Sequence, residues 1–136
     1  MPGYWLLKSE PGEYSFEDLQ RDKRAVWDGV RNFKALGNMR RVRRGDSAFF
    51  YHTGKEKAIV GVAHIESAAY PDPEAEDERI VVFDIRPARR LPQPVSLSQI
   101  KSSKGFEDWE LVRLPRLSVM PVPKRFWDRI LKMSSE

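Results

Sequence analysis

The stretch best equipped for chemistry is Trp27-Asp28-Gly29-Val30-Arg31-Asn32. It sets a broad flat aromatic beside an acid, a glycine, a guanidinium and an amide. A core strand rarely carries so many polar groups, and a surface loop rarely presents a tryptophan. The set suits a pocket wall, where the indole offers a stacking face and the polar groups offer hydrogen bonds. A flat ligand with polar edges, such as a nucleobase, meets both terms. Asn32 carries a donor and an acceptor on one amide, so it can pair with a base edge. The same residues admit a plainer reading, with Trp27 plugging the core and Asp28-Gly29 making a turn.

Other polar residues stand where strands should end. Lys8-Ser9-Glu10 closes an apolar stretch, and side chains there can project into a cleft at the end of a sheet. A Lys8–Glu10 ion pair is the simpler alternative. His52 follows Tyr51 at the end of another apolar stretch. It can be a general base, a hydrogen-bonding partner for a base edge, or a structural residue. Arg116 and Ser118 flank Leu117 and by themselves define no chemistry. Arg40, Arg41, Arg43 and Arg44 crowd one short stretch, with Arg31 and Lys34 just upstream, while Glu74, Glu76, Asp77 and Glu78 gather acids elsewhere. The formal net charge of +4 and the pI near 9.5 are compatible with an anionic partner. A solvated basic face gives the same pattern.

Several chemistries are excluded or left without residues. There is no cysteine, so disulfides, thiolate metal sites and a cysteine nucleophile are ruled out. His52 and His64 stand in no cluster with ligand spacing, so no metal is expected. No P-loop, dinucleotide glycine motif or nucleophile turn occurs, and no cofactor is expected. Arg44-Gly45-Asp46 reads as a turn. No apolar run approaches the roughly 20 residues of a membrane span, and the first ten residues lack the pattern of a secretory signal. A cytoplasmic protein without membrane contact is expected. The sequence sets no oligomeric state.

The elements that must position these residues are short. Strands are expected at Tyr4–Lys8, Ala25–Trp27, Ser47–His52, Ala58–Glu66, Ile80–Ile85 and Leu117–Met120, from their aromatic and β-branched content. Gly61 inside its strand marks a bulge or a close backbone approach. Pro87 to Pro94 is expected outside the sheet, because proline interrupts the ladder. Ser15-Phe16-Glu17-Asp18 and Ser96-Leu97-Ser98-Gln99 read as capping boxes, with Tyr14 and Leu19 as a hydrophobic staple for the first. A further short helix runs from Asn32 or Phe33 to Arg41, weakened by Gly37. Pro123 opens a last helix with Phe126, Trp127, Ile130 and Leu131 on one face. A chain of 136 residues with these elements is one domain. Its class is α+β: a mostly antiparallel curved sheet of five to six strands closing toward a barrel, with short helices at its ends.

Taken together, the blocks resemble the EVE domain family. Tyr4-Trp5-Leu6-Leu7-Lys8-Ser9-Glu10-Pro11 looks like the family's opening signature, and Trp27 to Asn32 its second block. Gly45-Asp46, Phe50-Tyr51-His52, Ile59-Val60-Gly61 and Arg116-Leu117-Ser118-Val119 follow in family order. The resemblance implies a PUA-like mixed barrel related to the YTH readers of methylated RNA. It implies binding of modified bases in DNA or RNA, with a pocket drawn from Lys8, Ser9, Glu10, Trp27, Val30, Asn32, Tyr51, His52 and Ser118. One block departs from the family: Leu36-Gly37 replaces the usual Arg-Asn, and Lys34 a Gln.

The expectation is a non-catalytic module that flips a modified base into an aromatic pocket, with Arg31, Arg40, Arg41, Arg43 and Arg44 on phosphates. The alternatives are a protein-interaction or small-metabolite module, and a nucleotide hydrolase using His52 and Glu10.

Overall fold

The computed structural model describes residues 3–135. β1 (Tyr4–Ser9) is the aromatic opening stretch, and the chain turns at Pro11, which has no backbone donor to offer. α1 (Phe16–Asp22) begins on a complete capping box. Ser15 Oγ accepts from Asp18 N–H at 3.1 Å, and the Asp18 carboxylate accepts from Ser15 N–H at 2.9 Å. Asp18 thus fills the place usually held by Glu or Gln. β2 (Ala25–Trp27) follows, then α2 (Phe33–Met39). β3 (Ser47–His52) and β4 (Ala58–Ile65) form a hairpin. β5 (Tyr70–Pro71) is a two-residue pairing ahead of the long β6 (Val81–Ser96). α3 (Leu97–Ser102) opens on the second capping box. A single turn, α4 (Glu110–Arg113), precedes β7 (Val119–Pro121) and α5 (Lys124–Ser135).

The strands run in the order β2-β6-β4-β3-β1-β7, with β5 beside the start of β6. β1 and β3 are parallel, and the other described ladders are antiparallel. This is the mixed, mostly antiparallel sheet expected. Its curvature is visible in one contact. In a flat sheet β2 and β3, three ladders apart, would be separated by roughly 14 Å. Yet the Trp27 and Phe50 rings meet edge to face at 5.6 Å. The sheet therefore rolls into a half-barrel, with register shifts at Phe50/Tyr51, Ile59/Gly61 and Val62/Ala63 supplying the bends.

The prolines from Pro87 to Pro94 correct the sequence reading, because they lie within β6. Beyond Ile85 that strand has left β2 and keeps only β4 as a partner, so it is an edge. Its register also slips beside the prolines. Ala63 faces Pro87 while Val62 faces Arg89, and Gly61 faces Arg90 while Ile59 faces Val95. Edges and bulges are the two places where a sheet tolerates a missing donor.

α5 closes the barrel as its apolar face predicts. Phe126, Trp127 and Ile130 are buried and Leu131 half-buried. Trp127 stacks on Phe49 at 3.9 Å and on Tyr4 at 4.6 Å. Among the described residues no helix is long and apolar enough to cross a membrane.

Candidate functional site

The curl brings the two ends of the strand order to one cleft of about 600 Å³. One wall is β2 with the loop that follows it, Ala25 to Asn32. The other is the end of β1 with its loop, Lys8 to Tyr14, together with Ser118 ahead of β7. The volume is within the roughly 300–1,000 Å³ usual for ligand pockets.

Trp27 lines this cleft with only 8% of its surface exposed. Its contact with Phe50 fixes the ring from the core side. The indole N–H has no protein partner among the described residues, and it is not sealed from solvent. Gly29, at φ +78, takes the left-handed turn that carries the chain from β2 toward α2. Val30 and Arg31 complete that wall. Asn32 is the N-cap of α2: its Oδ1 accepts from Ala35 N–H at 3.0 Å. Its carbonyl thus serves the helix, and the amide N–H groups remain for a ligand. This narrows the donor-plus-acceptor role read from the sequence.

The opposite wall is tied down by backbone bonds. Lys8 N–H donates to Ser118 O at 2.9 Å, which docks the end of β1 on the segment before β7. The Lys8 ammonium donates to Pro115 O at 2.9 Å, and burial holds its pKa below the usual lysine value. Ser9 Oγ donates to Tyr14 O at 2.5 Å. The Glu10 carboxylate accepts from Gly12 N–H at 2.8 Å. Lys8 and Glu10 therefore each have a backbone partner instead of the ion pair weighed from sequence.

Tyr51 and His52 are not in the lining, and both are 3% exposed. Phe50 and His52, two residues apart, share one face of the strand and their rings meet at 5.7 Å. His52 Nε2 accepts from Phe16 N–H at 3.0 Å, which places the ring proton on Nδ1, facing Glu56 Oε1 at 2.7 Å. Both ring nitrogens are thus used in joining β3, α1 and the β3–β4 loop. Tyr51 lies under Lys8, whose ammonium is 5.5 Å from the ring centroid. Burial pushes the Tyr51 hydroxyl pKa up to about 12.

The arginines divide. Arg31 lines the cleft. Arg40 sits past the far end of α2, about 12 Å along the axis from Asn32. It donates to Arg79 O at 2.5 Å, and Arg41 lies over the Trp5 ring at 5.5 Å. Arg43 and Arg44 are exposed in the turn before β3. None of these four lines the cleft. Leu36, part of the block that departs from the family, is fully buried, and Gly37 is half-buried outside the lining.

Lining residues that the sequence reading passed over include Glu13 and Tyr14. Their available signal was position, in the loop between Glu10 and the Ser15 cap. Tyr14 also donates from its hydroxyl to Asp22 at 3.0 Å.

Comparison with known proteins agrees with this architecture. Thymocyte nuclear protein 1 of Gallus gallus is 30% identical over 98% of this chain and 69% of its own length. An NMR structure of a Rhodopseudomonas palustris protein superposes with a TM-score of 0.92 at 39% identity, covering 98% of this chain and 93% of that one. Human thymocyte nuclear protein 1, solved in complex with DNA containing 5-methylcytosine, superposes with a TM-score of 0.89 at 28% identity, covering 98% of both chains. The EVE domain profile matches residues 3–133, and this chain belongs to the EVE domain family.

Proposed function

We propose that the chain binds DNA through a modified base, which leaves the stack and enters the cleft beside Trp27 without being chemically altered. The observation that carries the reading is that cleft, in a chain whose human relative was solved with 5-methylcytosine DNA. A flipped base loses its stacking and pairing partners, and a protein must replace both. The Trp27 indole can return about 1–3 kcal/mol of stacking. The indole N–H, the Asn32 amide and the Ser118 hydroxyl can address the base edge. His52 has both ring nitrogens engaged within the protein, which favours binding over acid–base catalysis.

A 5-methyl group is one added carbon. Buried against Trp27 and Val30 it is worth about 0.8 kcal/mol, or roughly fourfold in affinity. RNA offers the same base faces, so it belongs in the test. Wild type and Trp27→Ala are titrated with duplexes carrying 5-methylcytosine or plain cytosine, and with matching RNA strands. The modified DNA is expected to bind best. Trp27→Ala is expected to lose roughly 5- to 150-fold, the equivalent of the stacking term. Equal affinities throughout, with the variant folded, reject the reading.

A further inference from the structure

A second groove, of about 320 Å³, opens beside the cleft and shares Asn32 with it. Its floor is apolar, from Leu114, Pro115 and Leu117, and its three charged residues are Lys34, Arg113 and Arg116. No acid lines it. The cleft differs: two cations, Lys8 and Arg31, stand there against three acids, Glu10, Glu13 and Asp28.

The groove cations are also unneutralised. All three residues are exposed, and none forms an ion pair among the described residues. Arg113 donates from Nε to the Asp108 backbone carbonyl at 2.8 Å, which orients the guanidinium without cancelling its charge. The two spaces adjoin along one segment. Leu117 lines the groove and the next residue, Ser118, lines the cleft. The Lys8 ammonium in the cleft bonds the carbonyl of Pro115 in the groove.

We propose that this groove seats the sugar–phosphate backbone next to the base held in the cleft. Deoxyribose lies on Leu114, Pro115 and Leu117, and the phosphates meet Lys34, Arg113 and Arg116. The inference rests on the base-binding reading of the cleft. A cleft with surplus acid admits a neutral base and resists a phosphate, whereas a groove with cations alone does the reverse. A backbone joined to a base in the cleft must also leave through adjoining space. The groove meets that condition, and Arg40 to Arg44, at the far end of α2, do not.

The test measures affinity for the modified and plain duplexes across a salt series. The variants are the triple Lys34→Gln/Arg113→Gln/Arg116→Gln, the single Arg116→Gln, and Arg43→Gln/Arg44→Gln. Each phosphate contact contributes about 0.9 to the slope of log K against log salt on B-form DNA. The triple variant is expected to bind at least tenfold more weakly at 0.1 M salt, with a slope shallower by about 2 to 3. The loss is equal on both duplexes, so the preference for the modified base survives. Arg116→Gln loses about one contact, which supplies the test should the triple variant fold poorly, and Arg43→Gln/Arg44→Gln follows wild type. An unchanged slope in folded groove variants overturns the proposal, as does a flattened slope in Arg43→Gln/Arg44→Gln alone. Equal binding of both duplexes with a slope lost in the groove variants rejects the base reading and keeps the groove. Preference for the modified duplex with an unmoved slope does the opposite.

Discussion

Gly61→Ala tests how tightly α1 is packed into the half-barrel. A Cβ on residue 61 would stand 2.5, 2.6 and 2.7 Å from three ring atoms of Phe16. Carbon atoms settle at about 3.5–4.0 Å, so the overlap is about 1 Å. Neither partner can retreat easily. Gly61 is held between Phe50 on β3 and Arg90 on β6. Phe16 is fully buried, its ring meets Phe50 at 5.4 Å, and its N–H is bound to His52. Gly61 is not among the positive-φ residues, so the clash sets the cost and backbone strain does not. Overpacking typically costs about 1–3 kcal/mol, and this site is expected near the upper end. With an unfolding entropy of about 2.1 cal/mol/K per residue, 3 kcal/mol lowers Tm by about 10 °C in a chain of this length. Thermal melts of wild type, Gly61→Ala, Phe16→Ala and the double variant give the cycle. The double variant should lose less than the sum of the singles, because removing the ring removes the clash. A Tm drop below about 3 °C, or strict additivity in the cycle, would refute the reasoning.

Two further expectations concern titratable residues. His52→Ala should cost about 1–3 kcal/mol by leaving the buried Phe16 N–H without its acceptor, while DNA preference is kept. A variant with unchanged Tm and lost base preference would put His52 at the ligand after all. Tyr14, Tyr51 and Tyr70 each have a pKa raised to about 12. The main cause is burial for Tyr14 and Tyr51, and the hydrogen bond to Asp84 for Tyr70. An unfolded tyrosine titrates near 10, so between pH 10 and 12 the unfolded chain releases protons that the folded chain keeps. Their stabilising contribution is complete below pH 10 and is lost as pH rises toward 12. Urea midpoints read with tyrosinate absorbance should fall over that window, and flat midpoints would contradict the assignment.

Local chemistry was legible in the chain. The two capping boxes, the burial of Phe126, Trp127 and Ile130, and the polar set ending β1 all follow from side chains acting within a few residues of one another. Gly61 could be read as a close approach, since a glycine in a strand has few other uses. The continuation of β6 through its prolines was not legible. Proline forbids a ladder bond only where a partner strand is present, and which side of β6 lacks one is a matter of topology. The site divides in the same way. Trp27 to Asn32 announced itself by composition, but His52 and Tyr51 carry the same polar credentials, and only burial against α1 and Lys8 separates them from the lining. The groove of Lys34, Arg113 and Arg116 joins residues about eighty positions apart, so no local pattern could expose it. Sequence by itself determined which segments extend, cap and bury, because those preferences reside in single side chains and short periods. The curl of the sheet decided the rest: by bringing β2 to the end of β1 and the approach to β7, it turned two distant edges into one cleft with a cationic groove beside it.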